Sequence, residues 1–348
     1  MQRREFIAGL AAIGARALVP DVLDGAQRGP AASARPAPGG VEAAFRIDVH
    51  YHGNSPGFIA AIKAHNTGQM PLMNWTPAKA LEDMDRDGVA TSIMSTSEPS
   101  VYFGDAAAAR ALARECNDYF AKLVSDHPAR FGMFATLPLP DVEGALREIE
   151  YAYDTLKADG VCFMSSYEGK YLGDPAFAPV MDELNRRKAV AYTHPFRGAM
   201  ANMLPEGRNL GITLSTETTV TIQSILYTNT ATRCPDIRFI WSHGGGTAPY
   251  ITGRLGAAVG PDGKPNANLA ALQKFYYDTA QAFNPYTLAT FTRVVPNSHI
   301  LFGTDYPFAQ AGTVAKGLAE AGFTAANLRA IERDNALELF PRLRGRSA

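Results

Sequence analysis

The sequence predicts a single-domain (β/α)8, or TIM, barrel. Three observations carry that prediction: eight short β-branched or apolar runs between residues 45 and 303, an amphipathic helical pattern between successive runs, and a span of roughly 300 residues for the eight units. Strict alternation of strand and helix favours a parallel sheet. A doubly wound open sheet is the alternative, but the glycine fingerprint it carries after its first strand is missing.

The expected strands are 45–49, 89–95, 130–137, 160–164, 189–193, 237–241, 275–278 and 300–303. Their lengths suit strands buried on both faces, which read as continuous apolar runs. A long segment, 53–75, follows the first strand and is placed as a cap over the barrel mouth. Helix 76–87 starts with Thr76 as a cap and Pro77 at the first helical position, where a missing N–H costs nothing. Helix 105–127 carries Ala111, Leu112, Cys116, Phe120 and Leu123 on one stripe. Helices 141–158, 175–188, 215–233, 247–259, 285–294 and 313–320 follow by the same spacing, with a last helix from Thr324 toward Phe340. No internal repeat is visible, and the one biased tract lies at the N-terminus.

Composition narrows the function. The 348 residues are 46% hydrophobic, ample for a core, and carry a formal net charge of -1 with Lys and Arg scattered along the chain. No nucleic-acid partner is indicated. Cys116, Cys162 and Cys234 lie far apart, so neither a thiolate zinc site nor a disulfide framework is expected. Residues 1–40 read as a separate segment. Met1-Gln2-Arg3-Arg4-Glu5-Phe6-Ile7 followed by the mildly apolar 8–15 looks like a twin-arginine export signal, with Ala32-Ser33-Ala34 as a cleavage site and a Pro/Ala/Gly-rich linker to Gly40. The expected location is the periplasm, with the cytoplasm as the alternative. The apolar run is too short to span a bilayer, so stable membrane association is not expected. The barrel domain is assigned to residues 41–348.

In such barrels chemistry sits at the C-terminal ends of the strands. The first run ends in His50-Tyr51-His52, and residues two apart on a strand face the same way, about 6 to 7 Å apart. The fifth run leads into His194, the sixth into His243 and Gly244-Gly245-Gly246, and the eighth into Asp305. Four of the seven histidines and one aspartate would meet at one mouth. His65, His127 and His299 fall on loops or helix ends. Three imidazoles and a carboxylate from this group suit one divalent ion, with Zn2+ as the expected metal and Mn2+ as the alternative. No lysine ends the fourth strand, where Met164-Ser165-Ser166 stands, so a two-metal centre bridged by a carbamylated lysine is not supported. Asp48 shares the face of His50 and His52 and is expected to bond a liganding histidine or sit in a buried ion pair. Gly244-Gly245-Gly246 is expected to open a helix whose N–H groups can hold an anion, or to pack tightly. Arg197 and Phe196, just after His194, are candidate substrate contacts, against plainer readings as a loop arginine and a packed aromatic. Tyr306 is weighed in the same way.

His50-x-His52, Thr193-His194-Pro195, Trp241-Ser242-His243-Gly244-Gly245-Gly246 and Leu301-Phe302-Gly303-Thr304-Asp305-Tyr306-Pro307-Phe308 together resemble the amidohydrolase superfamily. Within it they resemble the branch of aminocarboxymuconate-semialdehyde decarboxylase and hydroxybenzoate decarboxylases. Val101-Tyr102-Phe103-Gly104-Asp105 and the stretch from Arg130 to Pro140 resemble the 6-methylsalicylate decarboxylase type. The resemblance implies a metal on His50, His52, His194 and Asp305, with His243 as a catalytic histidine beside it. It also implies a homodimer in which Arg254, on the helix after the glycine turn, reaches the neighbouring subunit's site to hold a carboxylate. A second family arginine has no counterpart in Gln69-Met70-Pro71-Leu72-Met73-Asn74-Trp75, which argues against the dicarboxylated muconate semialdehyde as substrate.

The expected activity is therefore non-oxidative decarboxylation of an aromatic or enol-like acid such as a salicylate. A metal would hold the carboxylate and an adjacent hydroxyl, Asp305 would serve as ligand and proton donor, and His243 would shuttle protons. The alternative is a hydrolase of a lactone, ester, amide or C–C bond, in which His243 or Asp305 deprotonates a metal-bound water.

Overall fold

A computed structural model describes residues 45–197 and 210–345, all within the compact unit Val41–Ala348. The export signal, its cleavage site and the linker expected over residues 1–40 lie outside the described residues. Ten strands form in chain order: β1 (Arg46–His52), β2 (Val89–Ser95), β3 (Phe131–Thr136), β4 (Gly160–Met164), β5 (Ser166–Tyr167), β6 (Lys170–Tyr171), β7 (Val190–His194), β8 (Arg238–Trp241), β9 (Tyr276–Asp278) and β10 (Ile300–Leu301). Eight of them make a parallel sheet in the order β1-β2-β3-β4-β7-β8-β9-β10, while β5 and β6 pair as a small antiparallel hairpin that the sequence reading did not foresee.

The chain beyond β10 brings the sheet round to β1. Phe302 O accepts from Val49 N (3.0 Å), His50 O from Asp305 N (2.9 Å) and Tyr306 O from His52 N (2.8 Å). The eighth unit thus closes on the edge of β1 opposite β2 and delivers Asp305 to the end of β1. Ile47, Val49 and Tyr51 alternate with Asp48, His50 and His52 along β1, and all six are buried. That alternation places the apolar set on one face of the strand and the chemistry-bearing set on the other.

Most expected helices form near their predicted bounds. Pro77–Asp87 is capped as expected, with Thr76 Oγ1 accepting from Lys79 N, and Gly88 closes it at φ 69°. Ala106–Asp126 buries Cys116, Phe120 and Leu123 of the expected stripe, continued by Ala109 and Ala113 in place of Ala111, which is exposed, and Leu112, which is half-buried. The helix expected over 247–259 does not form. Gly244, Gly245, Gly246 and Gly256 all take positive φ, which a right-handed helix cannot include, and only the 3-10 turn Thr252–Leu255 lies between them. The helix of that unit is Ala267–Lys274, capped by Asn266. The helix expected over 215–233 begins at Leu210 and breaks where Asn229 turns left-handed, giving Leu210–Tyr227 and Thr230–Arg233. The last helix is likewise interrupted by a wider turn over Ala330–Asp334.

Segment 53–75 carries two helices, Pro56–Ala64 and Met70–Met73. Phe58, Ile62 and Leu72 from it pack with Val101, Ala113 and Cys116 into a second apolar cluster, which anchors the cap to the helix after β2. The three cysteines are buried, unpaired thiols. Among the described residues no helix is long and apolar enough to cross a membrane.

Candidate metal centre and active site

β1, β7 and the segment after β10 bring His50, His52, His194 and Asp305 together. All four are buried, and one ligand atom from each lies within 4.8 Å of the others. His50 Nε2 stands 3.2 Å and His52 Nε2 3.1 Å from Asp305 Oδ1. His243, at the end of β8, places Nε2 3.3 Å from Asp305 Oδ2. The His50 and His243 rings meet edge to face with centroids 4.9 Å apart.

The orientation of each ring has a visible cause. His50 Nδ1 donates to Asp278 Oδ2 at 2.7 Å, and His194 Nδ1 donates to the Pro195 carbonyl at 2.8 Å. His52 Nδ1 lies 3.3 Å from Ser95 Oγ. Engaging Nδ1 in this way leaves Nε2 of each ring as the free lone pair, the usual arrangement of histidine ligands. His50 Nε2 is buried with no hydrogen-bond partner and lies among the other three ligand atoms. The donor set therefore fits a divalent metal.

The electrostatics agree. Burial, with His52 and His50 close by, pushes the His194 imidazole well below its ordinary pKa, and burial also lowers His52. Both are thus neutral and able to ligate. Burial would lower His50 too, but Asp278 and Asp305 outweigh it and raise its pKa to about 10. Burial alone would raise the Asp305 carboxyl. The His50 charge and the close imidazole nitrogens of His243, His50 and His52 instead hold it well below the carboxylate range.

Backbone strain is concentrated here. His243 (φ 53°), Gln281 (φ 53°) and Asp305 (φ 69°) all adopt the left-handed region that favours glycine. Hydrogen bonds hold the distortion: Asp278 Oδ1 accepts from His243 N at 2.9 Å, and His50 O accepts from Asp305 N at 2.9 Å. Such strain accumulates where side chains must be aimed at a site.

The other candidate residues take definite places in the fold. Asp48 bonds no imidazole and forms no ion pair. Its carboxyl accepts from His50 N (3.0 Å), Thr304 N (3.1 Å) and Thr304 Oγ1 (2.6 Å), tying β1 to the eighth unit, and burial pushes its pKa up to about 7. The carboxylate behind His50 is Asp278. Gly244-Gly245-Gly246 opens no α-helix and so no helical anion site; a Cβ on Gly246 would strike the Ser215 carbonyl, which makes this a packing turn. Arg254 lies exposed on the turn Thr252–Leu255, not on a helix and not on the cavity wall. Arg197 is not a free loop cation: its Nε lies 2.7 Å from Glu98 Oε1, and its backbone N donates to Glu98 Oε2 at 3.1 Å. Phe196 is half-buried against the core, with its N donating to Ser165 Oγ. Tyr306 stacks on Tyr51 and donates to Asp83 Oδ2, a structural role. His65 and His299 stack on Phe103 and Tyr276, and His127 closes a helix.

A cavity opens over His194 and Asp305, walled by Gln69, Ser97, Glu98, Leu214, Gln281 and Phe308. Gln69 confirms that segment 53–75 reaches the mouth. Sequence reasoning missed Asp278, Gln281, Ser97 and Glu98. Asp278 ends the seventh predicted run, so asking which residues end each strand contains its signal. The other three lie on loops with no pattern to mark them.

Residues 47–342 match the amidohydrolase family. The chain belongs to that family. It is 37% identical over 327 residues to the 6-methylsalicylic acid decarboxylase acuB of Aspergillus aculeatus, covering 86% of this chain and 97% of the other. It is 36% identical over 330 residues to the decarboxylase yanB of Aspergillus niger, covering 85% and 88%. Among solved structures it is similar to an amidohydrolase II, with a TM-score of 0.78 and 26% identity over 85% of this chain and 99% of that one. Within the superfamily this amidohydrolase falls in the decarboxylase branch that includes the 6-methylsalicylic acid enzymes.

Proposed function

We propose that this amidohydrolase is a metal-dependent carboxy-lyase that removes CO2 from a small aromatic acid with a hydroxyl beside its carboxylate, a salicylate such as 6-methylsalicylate. The observation that carries the reading is the pairing of a closed His50, His52, His194 and Asp305 set with a further acid–base group, His243, on the same carboxylate. The decarboxylase relatives support lyase over hydrolase chemistry.

Decarboxylation breaks the bond between ring carbon and carboxyl carbon, leaves the electron pair on the ring and needs one proton delivered there. A divalent ion, Zn2+ or Mn2+ by the chemistry of three imidazoles and a carboxylate, would fix the carboxylate and its neighbouring hydroxyl and draw off charge as a Lewis acid. Asp278 keeps the proton of His50 on Nδ1 and so aims Nε2. His243 Nε2 holds a proton against Asp305 Oδ2, and Gln281 Nε2 donates to the same oxygen at 3.1 Å, fixing the carboxylate. The two groups form a short relay from His243 through Asp305 to the cavity. Leu214 and Phe308 supply the apolar wall that a ring needs.

The test is to incubate metal-reconstituted protein with salicylate, 6-methylsalicylate and 2,6-dihydroxybenzoate, following CO2 and phenol release in D2O. The expected product carries one deuterium on the former carboxyl-bearing carbon. Uptake of 18O from labelled water without CO2 would instead establish a hydrolase. His243→Asn is expected to keep its metal while turnover falls about 10²- to 10⁴-fold, the usual loss of an acid–base group; undiminished turnover removes His243 from the relay.

A further inference from the structure

The cavity beside His194 and Asp305 has a second polar feature that the proton relay does not use. Ser97 and Glu98 follow β2 and line the same wall. Glu98 is 5% exposed and Ser97 1%. Burial pushes the Glu98 carboxyl up, and the Arg197 ion pair holds it as a carboxylate against that, with Oε1 against Arg197 Nε at 2.7 Å and Oε2 accepting from Arg197 N at 3.1 Å. Each oxygen has a lone pair beyond those bonds. Ser97 Oγ is buried and has no hydrogen-bond partner. A buried hydroxyl left unpaired on a cavity wall is a group awaiting a ligand atom.

We propose that Glu98, held by Arg197 and flanked by Ser97, sets substrate selectivity by accepting a ring hydroxyl and refusing a second carboxylate. This rests on the reading of the site as an aromatic acid decarboxylase. An ionised carboxylate offers only acceptor sites, so a hydroxyl or amide N–H of the ligand can pair with it while a second ligand carboxylate meets repulsion in a poorly solvated space. Arg197 offers that carboxylate less than a free cation would, because its charge is already balanced by Glu98 against its Nε. Specificity of this kind comes from a built-in penalty against the wrong ligand.

The experiment compares two ligands of the same shape, isophthalate and 3-carbamoylbenzoate, by calorimetric titration of the metal-loaded protein. The wild type is expected to bind the amide at least about tenfold more tightly than the diacid. Glu98→Gln should bring the two within about threefold, since it removes the repelling charge and frees Arg197 to meet the second carboxylate. Arg197→Gln should narrow the ratio as well, because the buried Glu98 carboxyl loses the partner that keeps it charged; Arg197 is partly exposed, so this variant tests the idea even if Glu98→Gln fails to fold. Equal wild-type affinities overturn the proposal, as does an unchanged ratio in Glu98→Gln or a widened one in Arg197→Gln, which would make Arg197 a substrate clamp. Binding is read without turnover, so absence of CO2 release from any hydroxybenzoate would defeat the functional reading while leaving this ratio to be judged separately.

Discussion

Asp278 shows how much of a metal centre lies behind its ligands. Its carboxylate touches His50 Nδ1 with one oxygen and the backbone N of His243 and Ala280 with the other, so one side chain orients a ligand and the acid–base residue together. Asp278→Asn is expected to fold but to lose about 10- to 100-fold in metal affinity, as such supporting carboxylates generally do, read by competition with a chelator. Metal affinity unchanged by that substitution would show that ring orientation is set elsewhere. His50 makes a second prediction. Its pKa of about 10 in the metal-free protein lies above the ordinary 6.5, so the proton it holds stabilises the fold fully below pH 6.5 and that contribution is lost as pH rises toward 10. An incoming ion needs the neutral ring. Binding at pH 8 should therefore release about one proton from His50, and affinity should fall about tenfold per pH unit below pH 10 from this group alone. Calorimetry in two buffers of different ionisation enthalpy measures the release, and no dependence on the buffer would contradict it.

At the scale of the element, the eighth unit is the least regular part of the barrel and the most consequential. β10 is two residues long, yet the six residues from 301 to 306 close the barrel against β1 and present Asp305. Gly303 makes this approach possible, because a Cβ there would lie 2.7 Å from Asp278 Cβ and 2.9 Å from His50 Cβ. Gly303→Ala should cost about 1–3 kcal/mol by overpacking. It should also weaken metal binding, since the pressure falls on both Asp278 and His50. Denaturant unfolding checks the first effect and chelator competition the second; a variant as stable and as metal-avid as the wild type would show that the strands can separate freely. The glycine turn after β8 belongs to the same class. It was expected to start a helix, and its three positive-φ glycines instead let the chain pass close to helix Leu210–Tyr227.

For the whole molecule, the barrel gathers at one mouth groups from the ends of β1, β7, β8 and β9 and from the segment after β10, while the cap anchored on Phe58, Ile62 and Leu72 brings Gln69 over them. We propose that the active assembly is a homodimer, in which the exposed Arg254 serves the partner's site. Sedimentation velocity should give about twice the monomer mass, and Arg254→Ala should raise KM about tenfold or more, since removing a charged hydrogen-bonding partner of a carboxylate costs about 1.5–3 kcal/mol. A monomer with full activity would exclude this arrangement.

The barrel was legible because each strand is a contiguous apolar run, and local periodicity is what a sequence displays directly. His50, His52, His194, His243 and Asp305 were legible for the same reason, since each ends such a run. Helix 247–259 was misread because apolar spacing cannot reveal that glycines take left-handed φ, which depends on what packs against them. Tertiary structure alone decided that Asp278, and not Asp48, supports His50, and that Glu98 occupies Arg197. Those pairings join residues 228 and 99 positions apart, and no local pattern encodes a distance that only chain closure creates. His50 and His52 were set by two positions on one strand; what they face was set by the barrel.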